Sequence, residues 1–312
     1  MRRMVSLAGV LALLLLTGAP AGAQLRVGVA KTAVTPPPGV RLYGYGARGE
    51  NVSTGVHDPL YAKALVLSDP QRTVAWVTLD LGYADTPLTR DVRAAVSAAL
   101  GFEEVFLTAS HTHSGPTFVS DFPSASDPWV QELRRKITLA VVEAHDTLEP
   151  ARLGVGWGRV DLGHNRRRVH ADGTVEMLWE NRPGIPTSPV DKSVAVVAFD
   201  TPAGEPIATL VNLAIHPVVL GPENLEYSAD YPGAMMAWVE EHGGGQAMFL
   251  QGAAGDINPF WDKTSLVDGA FEQMQRMGET IGGEVVGVRS TLTFLEIDTI
   301  AVGVERVPIS PR

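Results

Sequence analysis

The chain has 312 residues, 45% hydrophobic and 19% charged, a balance that supports a sizeable buried core and excludes intrinsic disorder. Its 25 Lys and Arg against 35 Asp and Glu give a formal net charge of -10, which repels phosphate backbones and argues against general nucleic-acid binding. Cysteine is absent, which removes disulfides, thiolate zinc sites, cysteine nucleophiles and iron–sulfur clusters together.

The chain opens with Arg2 and Arg3, an almost unbroken apolar stretch over residues 5–16, and the small-residue sequence Ala21-Gly22-Ala23. That order reads as a cleavable signal peptide over 1–23, with Gln24 as the mature start. The apolar run is shorter than the roughly 20 residues a spanning helix needs, and no later segment resembles one. The expectation is therefore an exported product, periplasmic or secreted, without an integral membrane span, in which 24–312 form one domain, incomplete at its C-terminus.

From there the pattern alternates. Strands are expected at 26–32, 62–68, 73–81, 104–110, 152–160, 193–200, 207–215 and 247–251, and helices at 87–100, 128–147, 231–242 and 266–288. Thr86 and Asp127, each followed by proline, read as helix N-caps. The pieces Thr35-Pro36-Pro37-Pro38-Gly39 and Gly44-Tyr45-Gly46 read as loops. The fold class implied is α/β: a layered mixed β-sheet flanked by helices, with a metal site at strand C-terminal ends. A β-prone run over 292–307 reads either as an edge strand or as a domain that continues past residue 312.

Four segments carry candidate chemistry. An apolar strand delivers Ser110-His111-Thr112-His113-Ser114-Gly115-Pro116; residues two apart on a strand share a face, so His111 and His113 can point into one cleft. Neutral imidazoles at that spacing suit zinc, one ligating while the other orients substrate or water. A second strand ends in Ile215-His216-Pro217, before a loop with Ser228 and Asp230; Asp230 reads equally as a helix N-cap. A third runs into Gly252-Ala253-Ala254-Gly255-Asp256-Ile257-Asn258-Pro259, where small residues let backbone N–H groups approach a ligand. The fourth, His164-Asn165-Arg166-Arg167-Arg168, is either a solvated basic run or a pair of donors for a carbonyl or anion. His145 and His242, near helix ends, need no function. The spellings of metallo-β-lactamases, HExxH proteases, amidohydrolase barrels and serine-hydrolase elbows are missing.

Taken with Ala30-Lys31-Thr32-Ala33-Val34-Thr35-Pro36, Tyr43-Gly44-Tyr45 and Ser228-Ala229-Asp230, these segments in this order resemble the N-terminal catalytic domain of the neutral, non-lysosomal ceramidase family over roughly residues 26–260. The resemblance implies a zinc-dependent amidase that cleaves the N-acyl bond of ceramide into sphingosine and a fatty acid. It implies His111 and His216 as Zn2+ ligands, His113 at the reacting amide, and Arg166 with Asn165 binding substrate; Asp256 lies in the motif where an acid for the leaving amine is sought. It further implies a glutamate and a tyrosine ligand from a region beyond residue 312. Asn258 stands where the family often has a serine. These departures leave two alternatives: an exported hydrolase of a non-sphingolipid amide or ester, or an inactive binding protein on the same scaffold. Phe118, Phe122 and Trp129 are candidates for lipid access or for core.

Overall fold

The computed structural model describes residues 24–118, 127–305 and 307–308. The expected leader and Phe122 lie outside the described residues. The first half builds one sheet from β1 (Arg26–Ala33), β2 (Tyr61–Ser68), β3 (Thr73–Leu79), β4 (Val105–Ala109) and the short β5 (Glu149–Pro150), in the order β4-β3-β2-β1-β5. β1, β2 and β3 are antiparallel neighbours, whereas β3 and β4 run parallel because helix α1 (Thr86–Leu100) crosses over between them. Residues 62–66 of β2 are all buried, since the strand has helix on one face and a second sheet on the other. Helix α2 (Pro128–Asp146) lies over β1 and β2, and Gly28 makes the approach possible: a Cβ there would sit 1.9 Å from the Ala144 carbonyl oxygen.

The second half builds another five-stranded sheet. Its members are β6 (Arg152–Arg159), β10 (Ser193–Asp200), β11 (Pro206–Leu213), β12 (Gln246–Gln251) and β14 (Phe294–Glu296), in the order β12-β11-β10-β6-β14. Helix α3 (Tyr231–Glu241) is the crossover between the parallel pair β11 and β12, and α4 (Ala270–Arg289) lies beside it. Between β6 and β10 the chain makes β7 (Gly163–Asn165) and the hairpin β8 (Arg167–Val169) and β9 (Val175–Met177); β7 pairs with β13 (Ile257–Pro259).

Three apolar clusters set the layers. Leu88, Val92, Leu133 and Ile137 seal α1 and α2 to the first sheet; Met235, Val239, Ile281 and Val285 seal α3 and α4 to the second. Val27, Leu65, Phe199, Leu210 and Met248 fill the space between the sheets. The α/β layering expected from the sequence is present, as two stacked mixed sheets with helices outside. Corrections are local. Asp85, not Thr86, caps α1, its carboxylate accepting from the Leu88 N–H at 2.7 Å; Asp127 caps α2 as expected. Residues 266–268 form a 3-10 turn, and left-handed Gly269 separates it from α4. Of the run 292–307, β14 pairs antiparallel to β6 at the sheet edge, and the Leu25 N–H donates to the Ile297 carbonyl just beyond it. Phe118 is 5% exposed and Trp129 packs on the same core, its indole N–H donating to the Val34 carbonyl, so both serve as core.

Candidate metal centre and its cleft

β4 stops at Ala109, two residues before the first histidine. The same-face argument for a strand therefore does not bring His111 and His113 together; a loop does. The N–H of Ser110 donates to the Leu79 carbonyl and that of His111 to Leu81, after which His111 turns into the left-handed region at φ 69°. The loop is clamped from the segment ahead of α3. Thr112 Oγ1 donates to the Ser228 carbonyl at 2.8 Å, the Ser228 N–H to the Ser114 carbonyl, and Asn224 Nδ2 to Ser114 Oγ at 3.0 Å. Asp230 is the α3 N-cap, accepting from Tyr231 N–H, and its other oxygen takes the Leu220 N–H.

His216 arrives from the other sheet, three residues past β11. Its N–H donates to the Ile257 carbonyl, and Tyr231 Oη donates to the Ile215 carbonyl at 2.6 Å. The glycine-rich turn after β12 serves this histidine, and none of its residues 252–257 lines the cleft: the Ala254 carbonyl oxygen lies 2.9 Å from His216 Nδ1. Likewise the Gly82 carbonyl lies 2.7 Å from His111 Nδ1. Each Nδ1–H held by a carbonyl leaves Nε2 as the free lone pair, the arrangement that orients histidine toward a metal. One ligand atom from each of His111, His113 and His216 lies within 4.8 Å of the others. Burial holds two of these imidazoles neutral. His216 is pushed down to about 4, and His113 to about 2 by burial and then by charge on His216 and His111.

His113 differs from its neighbours. Its ring stands edge-on to Tyr43 and Tyr45, with centroids 5.4 and 4.8 Å away, and its Nδ1 is buried with no partner. Gly44, at φ +98°, lets the loop close over it; a Cβ there would fall 2.3 Å from that Nδ1. Beneath, the buried guanidinium of Arg48 donates to the carbonyls of Tyr43, His113 and Asn224.

The histidines open onto a cleft of about 760 Å³ that Arg166, Asn258, Trp179 and Lys263 also line. The pairing of β7 with β13 joins two of the sequence motifs into one ribbon, with Asn165 opposite Ile257 and His164 opposite Asn258. Arg166 Nη1 donates to Asn258 Oδ1 at 3.1 Å, and the Arg166 N–H to the Asp256 carbonyl. Asn165 and Asp256 are not brought to the cleft lining. Asn165 Nδ2 donates to Asp256 Oδ2 and to the Pro189 carbonyl, and its Oδ1 accepts from Arg167 N–H, so the pair forms a joint behind Arg166. Arg167 and Arg168 are exposed on the hairpin. Sequence reasoning missed Arg48, Trp179 and Lys263 as parts of the cleft, and no periodicity or motif marks them.

A family model described as "Neutral/alkaline non-lysosomal ceramidase, N-terminal" matches residues 25–275. The chain belongs to this ceramidase family. Neutral ceramidase A of Dictyostelium discoideum is 23% identical over 283 residues, covering 78% of this chain and 38% of that protein. Neutral ceramidase 2 of Arabidopsis thaliana is 26% identical over 233 residues, covering 69% and 30%. The crystal structure of neutral ceramidase from Pseudomonas aeruginosa shares the fold with a TM-score of 0.72 at 21% identity, covering 86% of this chain and 45% of that one. The chain thus spans less than half the length of the relatives it matches. Among the described residues no helix is long and apolar enough to cross a membrane.

Proposed function

We propose that residues 24–312 form a ceramidase-like domain that acts after export, as a zinc-dependent amidase hydrolysing the N-acyl bond of ceramide or a related N-acyl lipid. The observation that carries this reading is the convergence of His111 and His216 on one point, each with its Nδ1 against a backbone carbonyl. These two residues would hold the metal. Zinc there would supply Lewis acidity, acidifying a water and polarising the amide carbonyl.

The chain's own groups do the rest. His113, uncharged and walled by two tyrosines, offers an N–H to the oxygen on which negative charge develops, and Arg166, lining the same cleft, binds the substrate. Asp256 and Asn165 act one step removed, by fixing the backbone and ribbon from which Arg166 projects. In the reaction the acyl carbon gains the oxygen of water, the C–N bond breaks, and the amine leaves with one of the water protons.

Elemental analysis of the purified full chain tests the reading. About one zinc per chain is expected, lost in His111→Ala/His216→Ala, together with release of fatty acid from an N-acylsphingosine. Hydrolysis that survives the double substitution would overturn it. N-terminal sequencing of the exported product is expected to begin at Gln24.

A further inference from the structure

The cleft has more positive charge than a neutral amide needs. Its described lining includes Arg41, Arg48, Arg166 and Lys263 and no Asp or Glu, in a chain whose formal charge is -10. Arg41 pairs with Glu50 at the rim. Arg48 spends its N–H groups on carbonyl oxygens, which leave its charge in place. Arg166 has only the amide oxygen of Asn258 as a side-chain acceptor, and its Nε is buried without one. The buried carboxylate of Asp262 serves this corner; its Oδ2 takes both Lys263 Nζ and Asn258 Nδ2. Lys263 is thus ion-paired with Asp262, whereas among the described residues Arg166 has no carboxylate in salt-bridge contact.

Lys263 is held in place at a cost. It is a non-glycine residue at φ 49°, a conformation that costs roughly 1–2 kcal/mol for an L-residue. Two backbone bonds enforce it: its own N–H to the Val218 carbonyl at 2.8 Å and the Thr264 N–H to Val219 at 2.9 Å. Strain of this kind persists where surrounding structure over-determines it, commonly at binding sites. The result is an ammonium 4.9 Å from the centre of the Trp179 ring, with the Arg166 guanidinium 5.1 Å from the same ring. Ceramide carries no charge, so it would offer these cations hydroxyl and carbonyl acceptors but no counter-charge.

We propose that the cleft takes an amide whose non-acyl part carries an anionic group, a carboxylate or sulfonate, and that Lys263 and Arg166 form the subsite that receives it. The proposal rests on the amidase reading for its place in catalysis and on charge geometry for its binding. Trp179, 47% exposed, offers the adjoining apolar wall.

Three ligands with the same acyl chain and amide separate the possibilities: N-dodecanoylglycine, N-dodecanoyltaurine and uncharged N-dodecanoylethanolamine. Calorimetric titration of the full chain stripped of metal removes any pull of zinc on the anion. The glycine conjugate is expected to bind about tenfold or more tighter than the ethanolamide at low salt, with the gap narrowing as salt is added. Lys263→Met is expected to shrink that gap to about threefold or less, and Lys263→Arg to keep it. A taurine conjugate that binds as well as the glycine one would show a subsite for charge; one that binds like the ethanolamide would show a subsite for carboxylate. Equal affinity for charged and uncharged ligands, or a gap indifferent to Lys263→Met, would overturn the proposal. Turnover by the zinc-loaded chain keeps the two readings apart. Anion preference without hydrolysis sinks the amidase and leaves the subsite, whereas equal kcat/KM on all three ligands sinks the subsite and leaves the amidase.

Discussion

Gly44 shows how tightly single residues shape this cleft. It combines a φ of +98° with the absence of a side chain, and each is needed: the first to turn the loop, the second to admit the His113 ring. Gly44→Ala is expected to cost about 1–3 kcal/mol through backbone strain, read as a lower midpoint in chemical denaturation. Because His111 and His216 rest on carbonyls from other segments, Gly82 and Ala254, zinc content should stay near that of the unsubstituted chain while amide turnover falls. Loss of zinc together with turnover would instead make His113 a third ligand. The positive φ of His111 and of Lys263 belongs to the same pattern, since both lie on the cleft and both are pinned by bonds from their own N–H groups.

At the scale of elements, the strands and helices follow apolar runs cut by glycine and proline, and most lie within two or three residues of where the sequence puts them. The misses are at ends, where local preference is degenerate. Asp85, Thr86 and Pro87 offer two cap-competent side chains in succession, and only the backbone path decides that Asp85 reaches the Leu88 N–H. Asp85→Ala is expected to cost about 1 kcal/mol, a shift of roughly 2–4 °C in Tm for a domain of this size. Thr86→Ala should shift it by less, since Thr86 already lies within the helix. β4 is similar: the apolar alternation ends near Leu107, and the strand ends at Ala109, so the same-face spacing of a strand does not reach His111 and His113.

Across the whole molecule, the two sheets are joined by more than apolar contact. Lys63, on β2 of the first sheet and 5% exposed, reaches Glu240 on α3 at 2.7 Å and the Ala247 carbonyl on β12 at 2.9 Å. Lys31, 45% exposed, binds the other oxygen of Glu240 at 2.8 Å. Removing a partner from a buried pair leaves charge and a carbonyl unsatisfied, whereas a surface partner is screened by water. Lys63→Met is therefore expected to destabilise the chain by about 3 kcal/mol, and Lys31→Met by under about 1 kcal/mol, both measured by urea denaturation. Equal effects would show that the pair does not bind the halves together.

The seam between sheets is also where the site lies, which explains what could be read in advance. Apolar periodicity and turn residues determined the elements and their α/β order, because burial of one face is a local property of the sequence. The order of the histidine, Ile-His-Pro and Asp256–Pro259 motifs was legible too, and it pointed to the ceramidase family. Tertiary structure decided the partners: that β7 pairs with β13, that Gly82 and Ala254 hold the two imidazoles, and that Asn165 and Asp256 fall behind Arg166 while Lys263 comes forward. His111 and His216 are over a hundred residues apart in the chain, and only the stacking of one sheet on the other makes them neighbours. A side chain such as Lys263 acquires its setting from segments remote in sequence, so no window around it carries the signal.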